Sequence, residues 1–163
     1  MNDVKKRVYN LFDELKINYS VVDHEAIFSE KDSEGIECKF EGVVCKNLFL
    51  KEKKGTKFYL VSLPLHKRAN IKEIEKKLNV KKLTFGNEEE LFENLKIKPG
   101  SVSILNIIEA PNTNVTFIID KELLGIQKVC FHPNDNTSSI SFDTSALKNI
   151  LDYFDAKYDF MEI

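Results

Sequence analysis

No apolar run in this 163-residue chain approaches the roughly 20 residues that cross a bilayer as a helix. Met1-Asn2-Asp3-Val4-Lys5-Lys6-Arg7 runs straight into an amphipathic pattern, so no secretory leader is expected. There is no P-loop, no GxGxxG and no GxSxG, which argues against nucleoside-triphosphate, dinucleotide and common serine-hydrolase chemistry. Cysteine is scarce. Cys38, Cys45 and Cys130 are odd in number, lack CxxC spacing and lie in strand-like runs, so reduced thiols in a cytoplasmic protein are the natural reading. His24, His66 and His132 show no HxxxH pairing of the kind that builds a zinc site. A large charge imbalance is missing too: the net charge is −2, so the molecule as a whole does not attract polyanions.

What is present suits one domain with a real core, spanning residues 1–163. Hydrophobic residues make up 42% and charged residues 31%, and no repeat, low-complexity stretch or linker divides the chain. The lysines are nevertheless clustered, at Lys51, Lys53, Lys54 and Lys57, at Lys67 with Arg68, and at Lys72, Lys76, Lys77, Lys81 and Lys82. Solvated hairpin tips and helix faces account for such clusters; a locally basic face for RNA phosphates is the alternative.

Val4, Val8, Leu11, Phe12 and Leu15 recur at helical spacing and predict a helix from Asp3 to Lys16. A short strand follows at 19–23, then a loop through Phe28, and Ser29 with Asp32 resembles a helix cap. A hairpin is predicted from Val43–Leu50 and Phe58–Leu63 around Lys53-Lys54-Gly55. Asn70 with Glu73 opens a second helix, Asn87 a third, and Lys98-Pro99-Gly100 stops the latter. Strands are expected at 115–119, 129–131 and 139–142. A last helix carries Leu147, Ile150, Leu151 and Phe154, capped by Asp143 or Ser145, before a terminal strand at 158–163. The implied class is α+β, a mixed, largely antiparallel sheet with flanking helices.

Two short segments stand out. In Lys46-Asn47-Leu48-Phe49-Leu50-Lys51 a lysine and an amide interrupt an otherwise apolar strand. Alternation puts Lys46 on one face and Cys45, Asn47 and Phe49 on the other. A buried ammonium must be paired, solvated through a cleft or shifted in pKa, so Lys46 is either a structural ion pair or a positive charge held in a cleft. In Phe131-His132-Pro133-Asn134-Asp135-Asn136-Thr137 a histidine closes an apolar strand and opens a loop rich in amides. An Asx-rich turn explains Asn134, Asn136 and Thr137, and a polar pocket wall explains them equally. Gly100-Ser101 is either a plain turn or a pair of backbone donors for an oxyanion. A Cys45–His132 nucleophilic pair is a further reading, although Cys45 should face away from Lys46.

These residues carry a resemblance. Val8-Tyr9, Leu11 to Leu15, Ile17-Asn18-Tyr19, His24 to Ser29, Lys46 to Leu50, Lys67-Arg68, Pro99 to Ser103 and Phe131 to Asn134 with Asn136-Thr137 together resemble the YbaK-like aminoacyl-tRNA deacylases. Within them, the Lys-Asn pair with Phe-His-Pro-Asn is similar to the free-standing, prolyl-tRNA-synthetase-associated type that hydrolyses alanyl-tRNA(Pro). The cysteinyl-tRNA deacylase type more often has threonine after the lysine. The chain departs from the family pattern at Ile104, Leu105 and Asn106, where a proline and a later glycine are usual.

The resemblance implies a trans-editing hydrolase cleaving the ester of a mischarged aminoacyl-tRNA, with Ala-tRNA(Pro) the first expectation. Cys-tRNA(Pro), another small aminoacyl-tRNA, and a non-catalytic tRNA- or synthetase-binding module are the alternatives. It implies Lys46 as electrostatic anchor, Gly100 and Ser101 as backbone donors and His132 as an orienting group. Asn47, Phe28, Asn134, Asn136 and Thr137 are expected to shape the substrate pocket. It further implies ribose-hydroxyl assistance, no metal or organic cofactor, the tRNA(Pro) acceptor end and prolyl-tRNA synthetase as partners, and no membrane. The logic is a second sieve: a proline pocket excludes smaller alanine by only about 1–3 kcal/mol, and a smaller pocket removes the error.

Overall fold

A computed structural model of the chain describes residues 3–26 and 42–163. Helix α1 (Asp3–Glu14) buries Val8, Leu11 and Phe12, as the apolar spacing dictates. It ends short of Lys16, which adopts a left-handed φ of 58°, and the Ile17 N–H closes the end on Phe12 O at 2.8 Å. Strand β1 (Tyr19–Asp23) follows. The expected Ser29/Asp32 cap and Phe28 lie outside the described residues.

Strands β2 (Val43–Glu52) and β3 (Phe58–Pro64) form the expected antiparallel hairpin. In α2 (Ile71–Leu78) the Glu73 N–H donates to the Asn70 side chain at 3.2 Å. The short β4 (Leu83–Phe85), which periodicity misses, pairs with the end of β2. Asn87 and Glu90 open α3 (Glu88–Leu95) with a reciprocal capping box. A 3₁₀ helix at Ile104–Ile108 leads to β5 (Thr116–Asp120), and a second at Lys121–Gly125 leads to β6 (Lys128–Phe131). Then come β7 (Ser138–Asp143), α4 (Ala146–Tyr153) and β8 (Lys157–Met161). At α4 the Ser145 N–H donates to Asp143 Oδ1 at 2.9 Å, while the Ser145 side chain makes no cap bond to the helix.

The eight strands of the described residues run β1-β7-β6-β2-β3-β5-β8, with β4 added to β2. Four pairings are antiparallel; β2–β6, β3–β5 and β5–β8 are parallel. The expected α+β class with a mixed, mostly antiparallel sheet holds. β2 has β3 along one edge, whereas its other edge is shared by β6 at Val43–Val44 and β4 at Leu50–Glu52. Lys46 lies where this second edge passes from one neighbour to the other.

One face of the sheet is sealed by α1, α3, α4 and the 104–108 turn around Phe12, Phe49, Leu60, Phe117, Phe142 and Leu151. The other face is divided. Over β3 and β5, α2 buries Ile74 against Leu63, Ile118 and Met161, each full burial stabilising by roughly 1.5–3 kcal/mol. Over β1, β7 and β6 the described apolar cluster is small: Cys130 with Val22 and Val44.

Candidate active site

Pleat alternation decides which side chains meet. Leu48 and Leu50 of β2 pack in the α2 cluster, while Cys45 and Phe49 enter the opposite core. Lys46 therefore stands on the divided face, half-buried and across from Leu63 of β3. On its other side the parallel register sets Val44 beside Cys130. Two residues further along each strand come Lys46 and His132, so these two share a face. Asn47 does not. It sits across from Ser62, whose hydroxyl donates to Asn47 Oδ1 at 2.6 Å on the opposite face.

His132 Nδ1 lies 3.0 Å from Ser138 O. A carbonyl only accepts, so Nδ1 carries the proton and Nε2 offers a lone pair. The His24 ring lies 6.0 Å away, centroid to centroid, with its Nε2 2.8 Å from Ser139 Oγ. Burial first, and then the nearness of His24, hold His132 below the ordinary histidine range, although its bond to Ser138 O works the other way. Sequence reading did not select His24 as a site residue. The signal was present: extending the alternation of Ser20 and Val22 by one step puts residue 24 on the face of Cys130 and His132.

At Lys98–Ser101, proline in the second position, Gly100 at φ 89° in the third and a Ser101 N–H bond to Lys98 O at 3.3 Å make a type II turn. The Ser101 N–H thus closes the turn, whereas the Gly100 N–H takes no part in closing it. Behind the turn lies Asn106. Its Nδ2 donates to Ser101 O at 3.0 Å and to Asn134 Oδ1 at 2.7 Å, and its Oδ1 accepts the Ser103 N–H at 2.9 Å. Asn134, at φ 61°, returns a bond from Nδ2 to Leu105 O at 3.0 Å. Two buried carboxamides, each satisfied, tie the Gly100-Ser101 turn to the histidine loop. Sequence reading treated Asn106 only as a departure from a pattern; a lone amide inside Ile104-Leu105-Asn106-Ile107-Ile108 was the available clue.

Asp135 joins the histidine loop to α1 through Lys5 at 3.8 Å and also braces the loop from within. The Thr137 N–H donates to Asp135 Oδ1 at 2.9 Å, and its hydroxyl donates to the same oxygen. Asn136 is half-buried beside it. Asp135 and Thr137 form an Asx turn, and Asn134 is engaged as a tie to the 104–108 segment. Cys45 and His132 do not form a nucleophilic pair: Cys45 packs in the opposite core, where burial pushes its thiol far up. Burial also pushes the Cys130 thiol up to about 11. Lys67 bonds Asp120 at 2.8 Å and reaches Glu122 at 3.4 Å, an ion pair that joins the end of β3 to the end of β5. Among the described residues no three His, Cys, Asp or Glu side chains gather as metal ligands, and no helix is long and apolar enough to cross a membrane.

Residues 37–150 match the model of the aminoacyl-tRNA editing domain. The chain belongs to this family. It is 32% identical over 149 residues to the prolyl-tRNA editing protein ProX of Acetoanaerobium sticklandii, covering 91% of each chain. It is 29% identical to prolyl-tRNA synthetase associated domain-containing protein 1 of Xenopus laevis, covering 85% of this chain and 84% of that one. Among solved structures, a proposed trans-editing enzyme for prolyl-tRNA synthetase superposes with a TM-score of 0.71 at 18% identity, covering 100% of this chain and 99% of that one. The hypothetical protein APE2540 gives the same score at 16% identity over 93% of this chain and 96% of its own. These structures share the fold.

Proposed function

We propose that this editing-domain protein is a trans-acting aminoacyl-tRNA deacylase that hydrolyses mischarged tRNA(Pro), with the alanyl ester as its preferred substrate. The ester joining the amino acid to the terminal adenosine is already activated, so the protein has to place water and substrate and stabilise charge. In this reading a water held at His132 Nε2 adds to the ester carbonyl carbon. The carbonyl oxygen becomes an oxyanion that accepts the Gly100 N–H, with Ser101 holding the turn that aims it. Collapse breaks the bond to the ribose oxygen, which leaves with a proton, giving free amino acid and tRNA. Lys46 anchors the anionic substrate end on the same face as His132, and Asn47 positions the Lys46 strand through Ser62. Asn134, Asn136 and Thr137 shape the site by holding its loop, and Phe28 is assigned to the pocket on resemblance alone.

The preference for alanine rests on one observation. Ile104, Leu105 and Asn106 are fully buried and back the Gly100-Ser101 turn from behind. A segment in that position leaves the pocket small, so proline is excluded by size and no special contact to alanine is required. Prolyl-tRNA synthetase is the expected partner, as the source of the error. The test is a deacylation panel on one tRNA(Pro) charged with Ala, Cys, Ser or Pro. The alanyl ester should be cleaved fastest and the prolyl ester slowest. Equal rates on alanyl and prolyl esters would defeat the size-exclusion reading, and equal rates on alanyl, cysteinyl and seryl esters would defeat the alanine preference.

A further inference from the structure

At the far end of β2 from Val43, the β2–β3 hairpin tip and the turn between α2 and β4 enclose a cleft of about 770 Å³. Among the described residues, Lys53, Lys54, Lys57, Lys81 and Lys82 line it, with Glu52 the lone carboxylate. The two rims are fastened together by the Lys53 N–H bond to Lys82 O at 2.9 Å. Glu52 accepts the Tyr59 hydroxyl at 3.3 Å, and the neighbouring Lys51 is taken by Glu90 at 2.7 Å. None of the five cleft lysines pairs with a carboxylate among the described residues. Five ammonium groups against one carboxylate, on a chain of net charge −2, make this a concentrated positive patch. Like charges gathered this closely repel one another, and a partner rich in anionic oxygens relieves that repulsion.

The position of the cleft bears on what that partner is. β2 runs from Lys46 to the cleft, seven residues or roughly 23 Å at about 3.3 Å per residue. Phe85 lies between them. It is 65% exposed and stands across from Leu50, on the face that carries Lys46. An exposed ring flanked by lysines is the combination that stacks an unpaired base while holding its backbone.

We propose that the lysine cleft binds backbone phosphates of the RNA stem adjoining the aminoacylated end, and that Phe85 stacks an unpaired nucleotide on the way to Lys46. The assignment rests on the editing reading for the identity of the RNA. Phosphate binding in the cleft is sequence-independent, so it supplies affinity and register while discrimination stays at the ester.

The experiment measures binding of an uncharged acceptor-stem minihelix to the full chain across a salt series. Replacing Lys53, Lys54 and Lys81 together by Gln should flatten the slope of log affinity against log salt by about 2–3. Phe85→Ala should weaken binding about tenfold with the slope unchanged. Lys72→Gln with Lys76→Gln, on exposed positions of α2, should leave both quantities alone. Wild-type affinity and slope in the triple variant would overturn the cleft, as would an equal loss in the α2 control. Minihelix binding kept while capture of prolyl-tRNA synthetase is lost would make the cleft a protein dock and would also overturn it. The assay needs no turnover, so a wild-type chain inactive on every aminoacyl ester would sink the editing reading and leave this result to stand or fall alone.

Discussion

The face of the sheet that carries Lys46 is built in two ways. Over β3 and β5 it is apolar, with Ile74, Leu63 and Ile118 fully buried beneath α2. Over β6, β7 and the end of β1 it carries Ser139, Ser141, His24 and His132 around a small apolar cluster. Lys46 stands on the border, with Leu63 on one side and the His132 register on the other. Packing on the first half secures the sheet, which frees the second half to hold polar groups that contribute little to burial. In the proposed reading, stability and chemistry are separated within one surface.

The largest effect expected from breaking this division is on the apolar half. Ile74→Ala should cost about 2–5 kcal/mol in denaturant unfolding, as for other fully buried aliphatic truncations. Turnover measured well below the unfolding midpoint should change far less than stability does. Loss of activity without loss of stability would show that the halves are not separate.

Asn106→Ala probes the tie between the two loops. It leaves Asn134 Oδ1 and Ser101 O short of a donor in a buried setting and should cost about 2–3 kcal/mol. Because it also loosens the Gly100-Ser101 turn, deacylation should fall even where the protein is fully folded. A stability loss with kcat/KM intact would reduce Asn106 to a purely structural group.

A smaller effect comes from His132. Its folded-state pKa lies below the unfolded value of about 6.5, so the native state binds fewer protons in the window between the two. Its contribution to stability is present above about pH 6.5 and is lost as pH falls through that window toward the folded value. Activity that needs the Nε2 lone pair should be level above pH 6.5 and fall at lower pH. A rate that declines already between pH 8 and 7 on acidification would contradict this assignment.

Much of the architecture was legible because it rests on local signals. The period of Val8, Leu11 and Phe12, the Asn87–Glu90 box and the Pro99-Gly100 turn each act over a few residues. β4 was not legible, since Leu83-Thr84-Phe85 is too short for a period and exists through its pairing with β2. The site was partly legible for the same reason. Lys46 and His132 are conspicuous in apolar surroundings, whereas their common face depends on the parallel β2–β6 register, which no single segment encodes. Asn47 entered the candidate site through the resemblance of the Lys-Asn pair, while alternation alone already turned it to the face opposite Lys46, where it meets Ser62. Asn106 and His24 act through partners far along the chain, at Asn134 and Ser139.

The most direct test of the account is Lys46→Ala, with deacylation of Ala-tRNA(Pro) and the unfolding midpoint measured on the same preparation. The account predicts a loss of rate of roughly 10²–10³-fold, the size of one preorganised electrostatic contact, with the midpoint nearly unchanged. A folded variant that turns over at close to the wild-type rate would contradict it.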